Sequence, residues 1–238
     1  MKYRSLSLAG LALLVLFGCS DPGPEPDVGS DENLTAGGAE AKLGVIAESL
    51  FSHTEAWMGY TSEGFILSRN VEAVSWRVAI CRAKTEEDFG LVTFNRLGEV
   101  EQTTEELASL MPSAFRFTGE PNKTNLLLAT VPGGIGVAEG GMKPDKPGWP
   151  VSHVKDKSTV MAVLVRPEFA ELWTTISPPR TAESLFGMLP AQSRLAITAD
   201  FSVVELPDDL SLEDFKILLS VKADGQVPVK VLSNHRLY

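Results

Sequence analysis

Three histidines, two cysteines and a few carboxylate clusters are the side chains here with the chemistry for catalysis or metal binding. His53, His153 and His235 lie in separate segments, and none has a second histidine at helical spacing. A zinc site draws on three or four protein ligands, and no local pair announces one. His53 falls on a stretch of helical periodicity and reads as a half-buried packing residue. Glu86-Glu87-Asp88 and Asp208-Asp209 are adjacent carboxylates, which mark solvated turns. A glycosidic acid–base pair is defined instead by its separation in space. DDLSLED, 208–214, lacks the alternating oxygen ligands and the glycine of a calcium loop. GYTSEG, from Gly59, puts Tyr60 where a nucleophile elbow needs its first glycine. In GGIGVAEGG, 133–141, Gly134 and Gly136 begin a dinucleotide-like spacing, but Glu139 replaces the third glycine. Lys143-Pro144 and Lys146-Pro147 then preclude the helix whose N-terminus would hold a pyrophosphate. The sequence therefore predicts no catalytic, cofactor-binding or metal-ligating residues.

Cys19 has a different chemistry. Lys2 and Arg4 precede an apolar run over 6–17. The run is shorter than the about 20 residues of a spanning helix and has the length of a signal-peptide core. It ends in Leu16-Phe17-Gly18-Cys19, which resembles the bacterial lipobox: an aliphatic residue, a variable one, a small one, then cysteine. The resemblance implies that the Cys19 thiol receives a diacylglyceryl group and that cleavage leaves Cys19 as an acylated, palmitate-type N-terminus. Several acyl chains hold firmly, because each buried methylene contributes about 0.8 kcal/mol. Ser20 follows instead of the aspartate that retains such proteins at the inner membrane, which implies the outer membrane.

Residues 1–18 thus read as a lipoprotein signal peptide and 19–38 as a disordered acidic tether. Pro22, Pro24 and Pro26 alternate there with Asp21, Gly23, Glu25 and Asp27, and no apolar periodicity begins before Leu43. Such a segment cannot bury enough surface to offset its ordering entropy. Residues 39–238 have the length of one domain. The formal net charge is −10, which argues against nucleic acid as a partner, since phosphate binding needs a basic face. It also argues against electrostatic docking onto anionic lipid, so attachment falls to the acyl chains on Cys19. With Cys19 acylated, Cys81 has no intramolecular partner and reads as a buried apolar residue in a strand.

The elements follow from pattern. Over 39–57, Leu43, Ile46, Ala47, Leu50, Phe51 and Trp57 recur by threes and fours, predicting a core-facing helix. VSWRVAICRA, 74–83, reads as a strand, and 91–94 as a short one. Thr103 and Glu106 form a capping box for a helix over 103–111 that Pro112 ends. Strands are expected over 126–131 and 159–165, with a Gly- and Pro-rich loop over 132–150 between them. Residues 195–199 and 202–206 read as a hairpin around Asp200-Phe201. Ser211 caps a last helix with Asp214 at the capping-box position, and 227–231 reads as an edge strand tempered by Pro228. The fold class is α+β: an N-terminal helix packed on a mainly antiparallel sheet, with short additional helices.

Four stretches in this order carry a likeness: KLGVIAESLFSHTEAWMGY from Lys42, SWRVAI from Ser75, ELASLMPSAFR from Glu106, and ITADFSVVELPDDLSLEDFKILLSVKADGQV from Ile197. Together they resemble the bacterial, planctomycete-type pseudopilin-like family known as domain of unknown function 1559. The resemblance implies a pilin-like domain over 39–238. It departs from the family at the start, where a lipoprotein signal replaces the prepilin leader and long anchoring helix. It departs again at the closing hairpin, where Phe201 replaces a glycine and Pro190 a histidine. The expected function is a lipid-anchored cell-envelope protein with a non-enzymatic structural or interaction role. The alternative is a periplasmic solute-binding or hydrolytic lipoprotein, with convergent carboxylates and His153 in a pocket.

Overall fold

The helix α1, Ala36–Ala56, carries the stripe that the spacing predicts. Leu43, Ile46, Ala47 and Leu50 are buried, and Phe51 meets Phe201 edge-on with ring centres 5.5 Å apart. The computed structural model describes residues 36–56, 65–66, 74–83, 86–96, 100–135, 156–221 and 227–234. Cys19, residues 20–35 of the tether, Trp57, His153, His235 and most of the glycine-rich loop lie outside the described residues, while 36–38, expected to be the disordered end of the tether, form the first residues of α1.

After α1 the chain forms β1, Phe65–Ile66, and β2, Val74–Ser75, which pair antiparallel. The strand expected over 74–83 stops there. Residues Trp76–Ile80 are a helix, α2, followed by a 3-10 turn, Cys81–Ala83. Two physical reasons explain the difference. Ser75 accepts a hydrogen bond from the backbone N–H of Arg77 through its side chain, which caps a helix start. All five residues of α2 are also buried, so the run has no wet face to report its period, and a short apolar run fits either structure. Cys81 is buried as expected, but in the 3-10 turn.

The strand expected over 91–94 is also absent. A 3-10 helix spans Glu87–Leu91, and Phe94 makes an isolated bridge to Val100. The Gln102 side-chain amide takes the place of a partner strand, donating to the Leu91 carbonyl at 3.0 Å and accepting from the Thr93 N–H at 3.1 Å. Next comes α3, Thr104–Ser109, with the complete capping box of Thr103 and Glu106.

A two-stranded piece pairs β3, Lys123–Thr124, with the later β6, Glu171–Leu172. The principal sheet comprises β4, Leu126–Leu128; β5, Val160–Leu164; β7, Arg194–Thr198; β8, Ser202–Leu206; and β9, Lys230–Asn234. They lie in that spatial order, every neighbouring pair antiparallel. Between β6 and β7 stands α4, Ala182–Met188, which the sequence reading missed, and between β8 and β9 stands α5, Leu212–Leu219. Thr181 and Ser211 cap them, accepting from the N–H groups of Ser184 and Asp214.

The sheet separates two cores. Leu126, Leu128, Met161, Leu195, Ile197 and Val203 pack with α1, α2 and an aromatic group around Phe115. Leu127, Val163, Ala196, Val204 and Leu206 pack with Leu185 of α4 and Phe215 and Leu218 of α5. This is the expected α+β class with an N-terminal helix on a mainly antiparallel sheet.

The β7–β8 hairpin turns at Asp200-Phe201. The Asp200 carboxylate accepts from the Thr198 hydroxyl at 2.6 Å and from the Ser202 N–H at 3.2 Å. Phe201 has φ +63°, in the left-handed region, which costs a residue with a Cβ about 1–2 kcal/mol. Its ring is buried against Phe51, so packing on α1 offsets the strain. The last strand begins three residues later than expected, at Lys230, because Pro228 has no N–H for the ladder. It pairs Ser233 with Val203 but Val231 with Val204, a bulge at Leu232.

Leu50→Asp places an unpaired carboxylate between α1 and the sheet, where its cost of several kcal/mol approaches the whole stability of a domain. Thermal melting of this variant is expected to show loss of the cooperative transition or a fall of well over 10 °C; a wild-type melting curve would remove α1 from the core.

Candidate functional site

Arg77 is the largest buried charge. It occupies the first turn of α2 and has no accessible surface. All of its N–H groups are engaged. Nε and Nη2 donate to the Leu126 carbonyl at 3.1 and 2.8 Å. Nη1 donates to the Ser75 hydroxyl at 3.3 Å and the Thr175 carbonyl at 3.2 Å. Nη2 also reaches the Ser177 hydroxyl at 3.5 Å. The counter-charge is Glu171 of β6, whose Oε2 is 3.8 Å from Nη2. Burial pushes the Arg77 pKa down to about 10, Glu171 opposes that shift, and Arg180 adds to it. The guanidinium therefore remains charged at neutral pH.

Glu171 is saturated in turn. Its Oε2 accepts from the Ser177 hydroxyl at 2.8 Å, and its Oε1 takes an ion pair from Arg180. The backbone N–H of Arg180 donates to the Thr130 carbonyl at 2.8 Å. Leu126 turns its backbone polar groups outward from β4. Its N–H donates to the Thr124 hydroxyl at 3.3 Å and its carbonyl accepts from Arg77. The residues between Glu171 and Arg180 thus form a strap along the outer edge of β4, and Arg77 fastens it. With every Arg77 donor and both Glu171 oxygens occupied, the cluster is a lock on the fold.

The other candidates sit apart from it. His53, in the last turn of α1, is buried more fully than the half-burial expected. Burial first, and the positive charge of Arg82 second, lower its pKa to about 4, so it is neutral at pH 7. The Cys81 thiol donates to the Arg77 carbonyl at 3.3 Å. Among the described residues no group of three or more His, Cys, Asp or Glu is arranged to hold a metal ion.

A groove of about 310 Å³ lies between the start of α4 and the end of α5, lined by apolar Val131, Pro132, Ala182 and Leu219 and by polar Thr181, Glu183, Lys216 and Ser220. Lys216 Nζ stands 3.0 Å from both Glu183 Oε1 and Glu213 Oε1. The hydrogen bond from Lys216 holds the Glu183 carboxyl below its ordinary pKa, and the bonds to Glu183 and Glu213 raise that of Lys216. The amine is kept protonated and the carboxylate ionised, so this rim pair can orient a charged group but is poorly placed to transfer protons. The glycine pair beside the groove has a packing role. Gly133 has φ +77° and its carbonyl accepts from the Val221 N–H at 3.1 Å. A Cβ on Gly134 would lie 2.8 Å from a Val131 methyl and 3.2 Å from the Leu219 carbonyl.

Glu171, Arg180, Glu183 and Lys216 were not singled out from the sequence. One signal did exist for the lock: an arginine inside the apolar run SWRVAI must find a carboxylate somewhere in the chain. Which carboxylate, 94 positions on in Glu171 (171 − 77 = 94), only the tertiary structure shows.

Two outcomes are expected. Glu171→Gln leaves two guanidiniums without their counter-charge and should destabilise the fold by about 3–5 kcal/mol in urea unfolding, whereas Glu213→Gln on the exposed rim should shift it by under about 1 kcal/mol. His53 also makes stability depend on pH. Its folded pKa lies below its unfolded value of 6.5, so the unfolded chain binds the proton first as pH falls. The stability present above pH 6.5 should decline between 6.5 and 4 by up to about 3 kcal/mol. His53→Gln should flatten that slope; an unchanged slope in the variant would exclude His53 as its cause. No protein-family model matches the chain, and neither a curated protein nor a solved structure does.

Proposed function

We propose that this chain is a lipid-anchored cell-envelope protein, held by acyl chains on Cys19 at the outer membrane, whose domain is a non-enzymatic structural or interaction module of pseudopilin-like kind. The observation that carries the reading is the Gly18-Cys19 junction, standing between a short apolar run and an acidic, proline-rich segment. The charge arrangement of the domain agrees with it. The buried Arg77 and the largely buried Glu171 and Arg180 are spent on one another and on backbone carbonyls. A second reading, a solute-binding envelope lipoprotein, is favoured by the apolar-lined groove with its Glu183–Lys216 rim.

Cells expressing the full chain and fed a labelled fatty acid should incorporate label into the protein, and Cys19→Ala should abolish that incorporation and leave the signal peptide uncleaved. An intact wild-type N-terminus free of lipid, read by mass spectrometry, would overturn the anchor.

A further inference from the structure

Lys42 and Arg116 stand against each other near the start of α1, and neither is paired with a carboxylate among the described residues. Lys42 Nζ donates to the Arg116 carbonyl at 2.6 Å, and its ammonium lies 5.9 Å from the centre of the Phe117 ring. The Arg116 guanidinium folds back and donates from Nε and Nη2 to the Met111 carbonyl at 3.2 and 2.9 Å. Carbonyls orient both cationic heads without cancelling their charge. The Lys42 pKa is lowered by burial first and by Arg116 second, so the two cations act on each other.

In a chain of formal charge −10, two cations held together with a supply of carboxylates elsewhere form a local conflict. Such conflicts concentrate where a ligand supplies the missing charge. Only one donor of the Lys42 ammonium is used, and Arg116 Nη1 makes no hydrogen bond among the described residues. A point charge beside the unengaged Nη1 of a guanidinium suits the oxygens of a phosphate ester. Along the chain, α1 starts 17 positions after Cys19 (36 − 19 = 17), a link of at most about 60 Å.

We propose that Lys42 and Arg116 dock the phosphate headgroups of anionic lipids in the membrane that carries the Cys19 anchor, and so set which end of the domain faces the bilayer. This rests on the lipid-anchor reading. The overall negative charge does not prevent it, because exposed charges more than about 8 Å away are screened at physiological salt. The acyl chains supply attachment and the cation pair supplies orientation.

The test uses the full-length acylated protein in neutral phosphatidylcholine vesicles and in vesicles containing phosphatidylglycerol. Amine acetylation is followed by mass spectrometry at Lys42, with Lys123, paired to Glu120, as the internal reference. Lys42 should be modified about fivefold more slowly on the anionic vesicles, with Lys123 unchanged. Arg116→Gln should weaken that protection and Arg116→Lys should keep most of it. Equal Lys42 rates on the two vesicle types overturn the proposal. Equal protection by inorganic phosphate on neutral vesicles does so too, because it identifies a free-anion site. Flotation with the neutral vesicles separates the two readings: protein that fails to float overturns the anchor, whereas protein that floats with Lys42 modified alike on both overturns only the docking.

Discussion

A full positive charge in the interior is the constraint around which one half of this domain is arranged. Desolvating a guanidinium costs several kcal/mol, which good geometry and complete hydrogen bonding can offset. Arg77 obtains both, but only from distant parts of the chain: Ser75 before it, Leu126 on β4, and Thr175, Ser177 and Glu171 on the strap. Each of those groups must be in place together. The aromatic residues nearby depend on the same placement. Trp76, next to Arg77, meets Phe115 edge-on with ring centres 6.1 Å apart. Trp173, inside the strap, stacks on Phe115 from 6.3 Å and donates its ring N–H to the Leu107 carbonyl at 3.0 Å. The lock therefore joins α2, α3, β4 and the strap into one unit.

The opposite half, on α4 and α5, works without such a charge. Its core is aliphatic apart from Phe215, with Phe186 beside it at 5.6 Å, and its charges are kept on the rim. Conflicts between local preference and global packing also fall on the side of α1. Phe201 accepts a left-handed backbone to set its ring against Phe51, and α2 yields strand-forming residues to a helix because a serine caps it.

Legibility in the sequence follows from these differences. Periodic or capped segments were readable: the stripe of α1, the box at Thr103 and Glu106, and the Ser211 cap of α5 declare themselves through residues three or four apart. The β7–β8 hairpin was readable because two apolar strands flank a short turn at Asp200-Phe201, although three residues, 199–201, separate the strands where two were expected. Segments buried on every side were not readable, and SWRVAI is the case in point: full burial of α2 erases the period that tells helix from strand. Gln102 standing in for a strand and Glu171 answering Arg77 are long-range substitutions with no local mark. Cys19, the candidate lipid-bearing residue, is marked by its local motif alone.

The two outer strands of the sheet share a property that bears on crowding. The free side of β4 is occupied by Arg77 and the strap. On β9, the outermost strand at the other end among the described residues, an exposed Lys230 paired to Glu205 and the bulge at Leu232 interrupt a regular row of donors and acceptors. Lysine and bulges on an outer strand are devices that stop neighbouring sheets from joining. Under the lipid anchor proposed above, attachment to a surface would confine the molecules to two dimensions and raise their encounter rate. A domain blunted at both ends of its sheet can be packed densely there without polymerising strand to strand, so its associations fall to helix faces and loops.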